Sequence, residues 1–186
     1  KLNLDYYQDL YEPARYLPDF LKAISRAKDE LVSPERYRQM AMQTISEATD
    51  GEERERAEKA LEVAGVYEVY QSHLDQEHYI DFGDLIAKSV KLLAEHPAVQ
   101  QDVRKTYRHV LVDEYQDVNR ACAMLLQQIA GNGKGLWVVG DARQSIYRFR
   151  GASPQNMALF PQDFPGATTL PLQVNYRSQP PVIKAF

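Results

Sequence analysis

Val110-Leu111-Val112-Asp113-Glu114-Tyr115-Gln116-Asp117 is the stretch on which the reading of this chain turns. Three consecutive apolar residues predict a strand buried on both faces of a parallel sheet. The run stops at two adjacent carboxylates. Open α/β sheets hold their ligands outside the C-terminal ends of their strands, so Asp113 and Glu114 stand where chemistry is expected. One carboxylate there can hold a Mg²⁺ that bridges nucleotide phosphates, and its neighbour can orient or deprotonate an attacking water. A strand that merely ends in two solvated acids has the same local sequence. The neighbouring segments decide between the two.

On the C-terminal side, Asn119 is a candidate cap for a helix reaching Ala130, with Met124, Leu125 and Ile129 on its buried face. Gly131 to Gly135 reads as a turn, and Leu136-Trp137-Val138-Val139 as a second buried strand that ends at Gly140-Asp141. Ser153-Pro154 opens another helix to Phe160, and Ala167 to Leu172 reads as a third strand. Immediately upstream, Asp81 is a candidate N-cap, with Asp84 adding negative charge to the first turn. Leu85, Ile86, Val90 and Leu93 form the apolar face of that helix, and Pro97 starts a shorter one to about Tyr107. Strands alternating with helices predict an α/β unit over residues 81–186 with a mainly parallel sheet. The tripeptide Gly133-Lys134-Gly135 is not a phosphate loop, because it lacks the preceding strand, the first glycine at the right spacing and a Ser or Thr after the lysine.

Residues 1–80 read instead as a helical unit. Pro18 fits a first turn, followed by Phe20, Leu21, Ile24, Ala27 and Leu31 at helical spacing. Ser33 and Pro34 form an N-cap and first helical position, and Tyr37, Met40, Ala41, Ile45 and Ala48 make the next stripe. After the turn signal Asp50-Gly51, a third helix runs from Glu52 to about Gln76, burying Val63, Val66, Tyr67, Tyr70 and Leu74. Gly65 within it predicts a bend or close packing. The charged run at 51–56 predicts a solvated face with i,i+4 pairs. The tyrosines of this region are expected to pack in the core rather than to meet nucleic-acid bases.

The chain has 186 residues, a net charge of −4 and one cysteine, Cys122, so an intrachain disulfide is excluded and a reducing, cytoplasmic setting is expected. No apolar run approaches the roughly 20 residues needed to span a bilayer. His73, His78, His96 and His109 show no metal-ligand spacing. The abrupt start and the interrupted apolar pattern at the end make us expect a piece of something longer. Charge is uneven. Residues 141–186 carry five basic side chains (Arg143, Arg148, Arg150, Arg177, Lys184) against Asp141 and Asp163, a net of +3.

Three segments each follow a strand. They are Asp113 to Asp117, Gly140-Asp141-Ala142-Arg143-Gln144-Ser145-Ile146-Tyr147-Arg148-Phe149-Arg150-Gly151-Ala152, and Asn175-Tyr176-Arg177-Ser178. The second mixes two aromatics with three arginines, a combination suited to stacked single-strand bases and backbone phosphates. It equally fits aromatics tucked into a core with the arginines solvated. Gln144 is a neutral amide able to sense a phosphate or a water.

Taken together, these segments resemble motifs II, III and IV of the UvrD/Rep/PcrA-like helicases of superfamily 1, in that order. Asp81-Phe82-Gly83-Asp84-Leu85 resembles the family's DFxDL stretch. The resemblance covers about residues 79–186 and implies a partial RecA-like P-loop NTPase domain, with residues 1–80 as the helical insertion of that first domain. It implies an ATP-dependent helicase or translocase acting on single-stranded DNA and single-strand/duplex junctions in repair, replication or recombination. By position it implies that Asp113 binds Mg²⁺, Glu114 is the general base, Gln144 reports the γ-phosphate, Tyr176 packs on adenine and Arg177 contacts the γ-phosphate. Tyr147 and Phe149 would stack on bases, the family often having Trp at the latter, and Arg150 would help couple the two sites; the composition of the segment adds Arg143, Arg148 and Arg150 as candidate DNA contacts. The family's phosphate-binding loop is not in this chain, so ATP hydrolysis by these 186 residues alone is not expected. The helicase subunit of a helicase–nuclease, or a non-motor DNA-binding module of helicase shape, are the alternative readings.

Overall fold

The computed structural model describes residues 2, 4–9, 11–144 and 154–179. It is mostly helical, with one small parallel sheet of two strands.

Helix α1 (Leu17–Asp29) carries Pro18 in its first turn and buries Phe20, Ile24, Ala27 and, unexpectedly, Lys28. Helix α2 (Pro34–Glu47) starts as its sequence dictates. Ser33 accepts the Arg36 backbone N–H at 3.2 Å, and Pro34, which has no N–H to leave unpaired, takes the first position. Helix α3 (Gly51–Gln76) is capped in the same way by Asp50, which accepts the Glu53 N–H at 2.7 Å. Its outer face carries the expected ladder of exposed ion pairs, Glu52–Arg56, Arg54–Glu58 and Glu55–Lys59. Its inner face brings Tyr67 against Ile24 and Ala27, with the Tyr67 hydroxyl donating to the Val32 carbonyl at 3.2 Å. The buried stripes are narrower than their periodicity suggests, since Leu21 and Met40 are about half exposed.

Gly65 lies in the middle of α3, where a Cβ would meet Leu2 at 3.6 Å and Arg38 at 3.8 Å, ordinary contact distances. Close packing is therefore not what requires this glycine. Gly65→Ala should stabilise the chain by about 0.5–1 kcal/mol by removing backbone freedom from the unfolded state. A higher urea midpoint with an unchanged slope is the expected readout.

Helix α4 (Phe82–Glu95) begins at Asp81, which accepts the Asp84 N–H at 2.7 Å. Helix α5 (Pro97–Thr106) leads into β1 (Val110–Val112). Helix α6 (Arg120–Ala130) then crosses over to β2 (Leu136–Val138), and α7 (Pro154–Asp163) follows. The strands are parallel, pairing Val110 with Leu136, Leu111 with Trp137 and Val112 with Val138. The crossover ends at Gly135, whose φ of +86° lies in the left-handed region and where a Cβ would strike the Arg108 carbonyl at 2.3 Å.

The sheet corrects the expectation of strands buried on both faces. Val110, Val112, Leu136 and Val138 pack inward on Tyr115, Leu126 and Phe164, but Leu111 and Trp137 are 79% and 62% exposed. Period-2 alternation sends their side chains to the other face, which none of the described residues covers. The expected third strand is also absent. Residues 167–172 form no ladder, Leu170 and Leu172 are exposed, and Pro171 lacks the N–H a central strand needs. Helix α7 runs past Phe160 to Asp163, placing Phe164 in the core with its ring 5.0 Å from that of Phe160. In α6 the most buried positions are Ala121, Ala123 and Leu126 rather than Met124, Leu125 and Ile129, because α4, α5 and α7 all pack against it.

Two adjacent residues at the end of α1 tie the helical segment to the α/β segment. The Lys28 ammonium, its side chain 2% exposed, donates to Asp81 at 2.7 Å and to Asp84 at 2.9 Å. Tyr70 donates to Asp81 at 3.0 Å, and Gln71 donates to Asp84 at 3.2 Å. Asp84, expected as a first-turn charge, is therefore a buried ion-pair partner. The Lys28 stem passes so close to Gly83 that a Cβ there would lie 2.8 Å from it. The next residue, Asp29, accepts a hydrogen bond from Asn119 at 2.7 Å, while Asn119 caps α6 by accepting the Cys122 N–H at 2.8 Å.

Candidate active site

β1 and β2 end side by side, and the pairing persists beyond them: Val139 N–H donates to the Val112 carbonyl at 2.8 Å and Tyr115 N–H to the Val139 carbonyl at 2.9 Å. Between those bonds the chain must reverse. It does so at Glu114, which sits at φ 51°, ψ 45°, and a 3-10 turn over Tyr115–Asp117 completes the change of direction. A left-handed glutamate costs about 1–2 kcal/mol. Such a conformation persists only where the surroundings over-determine it, and strained residues of this kind cluster at functional sites. Here the constraint is Tyr115, 1% exposed and edge-on to Phe160 at 5.2 Å. Burying Tyr115 leaves both acids on the outside: Asp113 and Glu114 are exposed.

Asp113 accepts the Glu114 backbone N–H at 2.9 Å through one carboxylate oxygen. Its other oxygen has no hydrogen-bond partner among the described residues. An exposed hard oxygen of this kind fits Mg²⁺, which keeps several waters and takes one or two carboxylates plus substrate phosphates. Among the described residues no three His, Cys, Asp or Glu side chains converge.

Gln116 is 2% exposed, and both ends of its amide are used. The NH₂ donates to the Glu114 carboxylate at 2.5 Å and the oxygen accepts the Asp141 backbone N–H at 2.9 Å. Asp141 opens the second candidate segment. Its carboxylate accepts the Arg143 N–H at 2.9 Å and the Gln144 side-chain NH₂ at 3.1 Å. The Arg143 N–H, followed by the Gln144 amide, holds the Asp141 carboxyl below the usual carboxylate range. A 3-10 turn over Ala142–Gln144 fixes the local backbone, with Gln144 N–H donating to the Asp141 carbonyl at 2.9 Å.

The structure thus joins Glu114 and Gln144 through Gln116 and Asp141. The third segment is an Asx turn: Asn175 accepts the Arg177 and Ser178 N–H groups at 2.9 and 3.0 Å. Tyr176 is 92% exposed, and Arg177 is exposed. Among the described residues, no hydrogen bond or ion pair links this turn to Asp113, Glu114 or Gln144. Tyr147, Arg148, Phe149 and Arg150 lie outside the described residues, and the Arg143 side chain is exposed. Sequence reasoning assigned nothing to Gln116, Gly140 or Asp141. The available signal was an amide two residues past the glutamate and a glycine where the second strand ends. A cleft of about 400 Å³, lined by Arg104, Tyr107, Arg108 and Lys134 among others, also touches Val110 and Leu136, so it lies at the opposite end of the strands.

An α/β chain that gathers its polar groups at the C-terminal ends of neighbouring parallel strands has its ligand shelf where such folds place it. The chain belongs to the UvrD/REP helicase N-terminal domain family, whose model matches residues 4–165. It is 40% identical over 179 residues to the ATP-dependent DNA helicase UvrD1 of Mycobacterium tuberculosis, which covers 92% of this chain and 22% of that protein. It is 37% identical over 175 residues to the ATP-dependent DNA helicase PcrA of Bacillus subtilis, covering 94% and 22%. With PcrA of Staphylococcus aureus the identity is 38% over 166 residues, covering 89% and 21%. The chain therefore spans about a fifth of the length of these curated relatives. The family match ends before the Asn175 turn. Among the described residues no helix is long and apolar enough to cross a membrane.

Proposed function

We propose that this chain is part of an ATP-dependent DNA helicase or translocase that hydrolyses ATP while moving on single-stranded DNA. The observation that carries the reading is the left-handed Glu114. It is held exposed at a parallel strand end and is connected by hydrogen bonds to Gln144 on the adjacent strand's loop. On this reading residues 81–186 are a partial RecA-like domain and residues 1–80 its helical insertion.

In the mechanism Asp113 would hold Mg²⁺, which when bound would neutralise charge on the nucleotide phosphates. Glu114 accepts the proton of the attacking water. Gln144 reads the γ-phosphate, Arg177 stabilises charge on the transferred group and Tyr176 packs on the adenine. Tyr147 and Phe149 stack on bases, and Arg143, Arg148 and Arg150 meet backbone phosphates. Among the described residues, Asp113 and Glu114 stay exposed at the strand end.

Phe149→Ala in the full-length protein tests the DNA half of this reading. Base stacking contributes about 1–3 kcal/mol by alanine substitution, so single-strand affinity should fall by roughly one order of magnitude with an unchanged salt slope. DNA-stimulated ATPase should fall while basal ATPase survives. A lower melting temperature with unaltered DNA affinity per folded molecule would instead place Phe149 in the core and sink the stacking role.

A further inference from the structure

We propose that Gln116 is a positioning residue for Glu114 and makes the placement of that carboxylate depend on the loop that carries Gln144. The inference rests on the reading of Glu114 as the base.

Glu114 has an exposed side chain on a strained backbone. A general base must hold its acceptor oxygen within hydrogen-bond reach of the water it deprotonates. Gln116 supplies the restraint. Its NH₂ engages one Glu114 oxygen, Oε2, and leaves Oε1 for a water. The amide can do this because its own carbonyl end is fixed by the Asp141 backbone N–H and because the group is buried, where a lost hydrogen bond is expensive.

The side-chain type follows from the geometry. The position needs a donor toward a carboxylate and an acceptor toward a backbone N–H on one rigid plane, which a neutral carboxamide provides. Asn is one methylene short. A glutamate would set a second carboxylate against Glu114. Gly140 completes the device: a Cβ there would lie 2.8 Å from the Gln116 amide oxygen and 3.2 Å from the Met157 sulfur. Gly140 has no positive φ, so it is this close approach that calls for a glycine.

The same amide makes the two strand ends interdependent. Asp141 presents its N–H to Gln116 and its carboxylate to Gln144. When Gln144 turns toward a phosphate it leaves Asp141, and any shift of the Asp141 backbone is felt at the bond that restrains Glu114. Base placement and phosphate sensing are thereby linked through one side chain.

The test uses the full-length protein with Gln116→Met, which keeps the volume and removes both hydrogen bonds, alone and combined with Glu114→Gln. A general base contributes about 10²–10⁴-fold, and misplacing it should cost on the order of tenfold in kcat with little change in KM for ATP. On the Glu114→Gln background the same substitution should have almost no further effect, because residues acting as a unit are not additive. Gly140→Ala, which displaces the amide without removing it, should reproduce both results. The proposal is overturned if Gln116→Met and Gly140→Ala leave kcat unchanged, if they lower it by the same factor in both backgrounds, or if the loss only tracks the fraction unfolded. If Glu114→Gln itself leaves turnover intact, the base reading fails and this inference with it. If Glu114→Gln abolishes turnover while Gln116→Met is silent, the inference alone fails.

Discussion

Glu114→Gln in the full-length protein is expected to lower ATP turnover by about 10²-fold or more while Mg-ATP still binds. The amide keeps the length and the planar end of the side chain. It can still receive the Gln116 N–H through its oxygen, so the turn over Tyr115–Asp117 has no reason to rearrange. What it cannot do is take a proton from water. On the proposed reading nucleotide binding depends on other groups, among them Asp113, a separate exposed carboxylate one residue earlier. Asp113→Ala should therefore show the opposite pattern, a raised requirement for Mg²⁺. Single-turnover hydrolysis and equilibrium nucleotide binding on the same two variants separate the roles. Unchanged turnover in Glu114→Gln would show that another group activates the water.

The largest expected effect on stability is at Lys28. Lys28→Met keeps most of the apolar stem that packs on Gly83 and deletes the charge, leaving Asp81 without its cation and Asp84, 4% exposed, with only the Lys88 ammonium at 3.9 Å. Breaking a buried ion pair by removing one partner costs about 3–5 kcal/mol, far more than any surface pair in α3. For a chain of this size each kcal/mol moves Tm by about 2–4 °C, so a fall of roughly 10 °C is expected. Adding Asp84→Leu to Lys28→Met should recover part of the loss, because the more deeply buried of the two carboxylates no longer has to be held without its partner, while the partly exposed Asp81 remains. A loss within experimental error for Lys28→Met would mean that water reaches the two carboxylates.

The same cluster sets an acid limit. Burial pushes the Asp81 carboxyl up, but the Lys28 ammonium, the Asp84 N–H and the Tyr70 hydroxyl outweigh it and leave the pKa below its usual value. A group depressed in the folded state contributes stability above its unfolded pKa, near 4, and loses it as pH falls through the folded value. Urea midpoints should therefore drop on acidification below about pH 4, and less steeply in Lys28→Met. Tyr70, raised to about 12 by burial and by its bond to Asp81, has the converse sign: its contribution is lost only in strong alkali.

What could be read directly from the sequence was whatever depends on neighbours within one turn. Ser33, Asp81 and Asn119 all cap the helices assigned to them, since a cap is a bond from a side chain to an N–H three residues on, and Asp50, read as a turn residue, turns out to cap its helix in the same way. The strand at Val110–Val112 and its two terminal acids were legible for the same reason, being consecutive, and the family motifs are themselves local strings. Only the tertiary structure decided three things. Lys28 meets Asp84 across 56 residues, and Gln116 meets Asp141 across 25, pairings that no periodicity announces. Glu114 adopts a left-handed turn because burying Tyr115 and pairing it with Val139 leaves no other path. The open face of Leu111 and Trp137 shows the limit most plainly. An apolar run states that a strand tolerates burial on both sides, but whether something lies there depends on which other segments pack against the sheet.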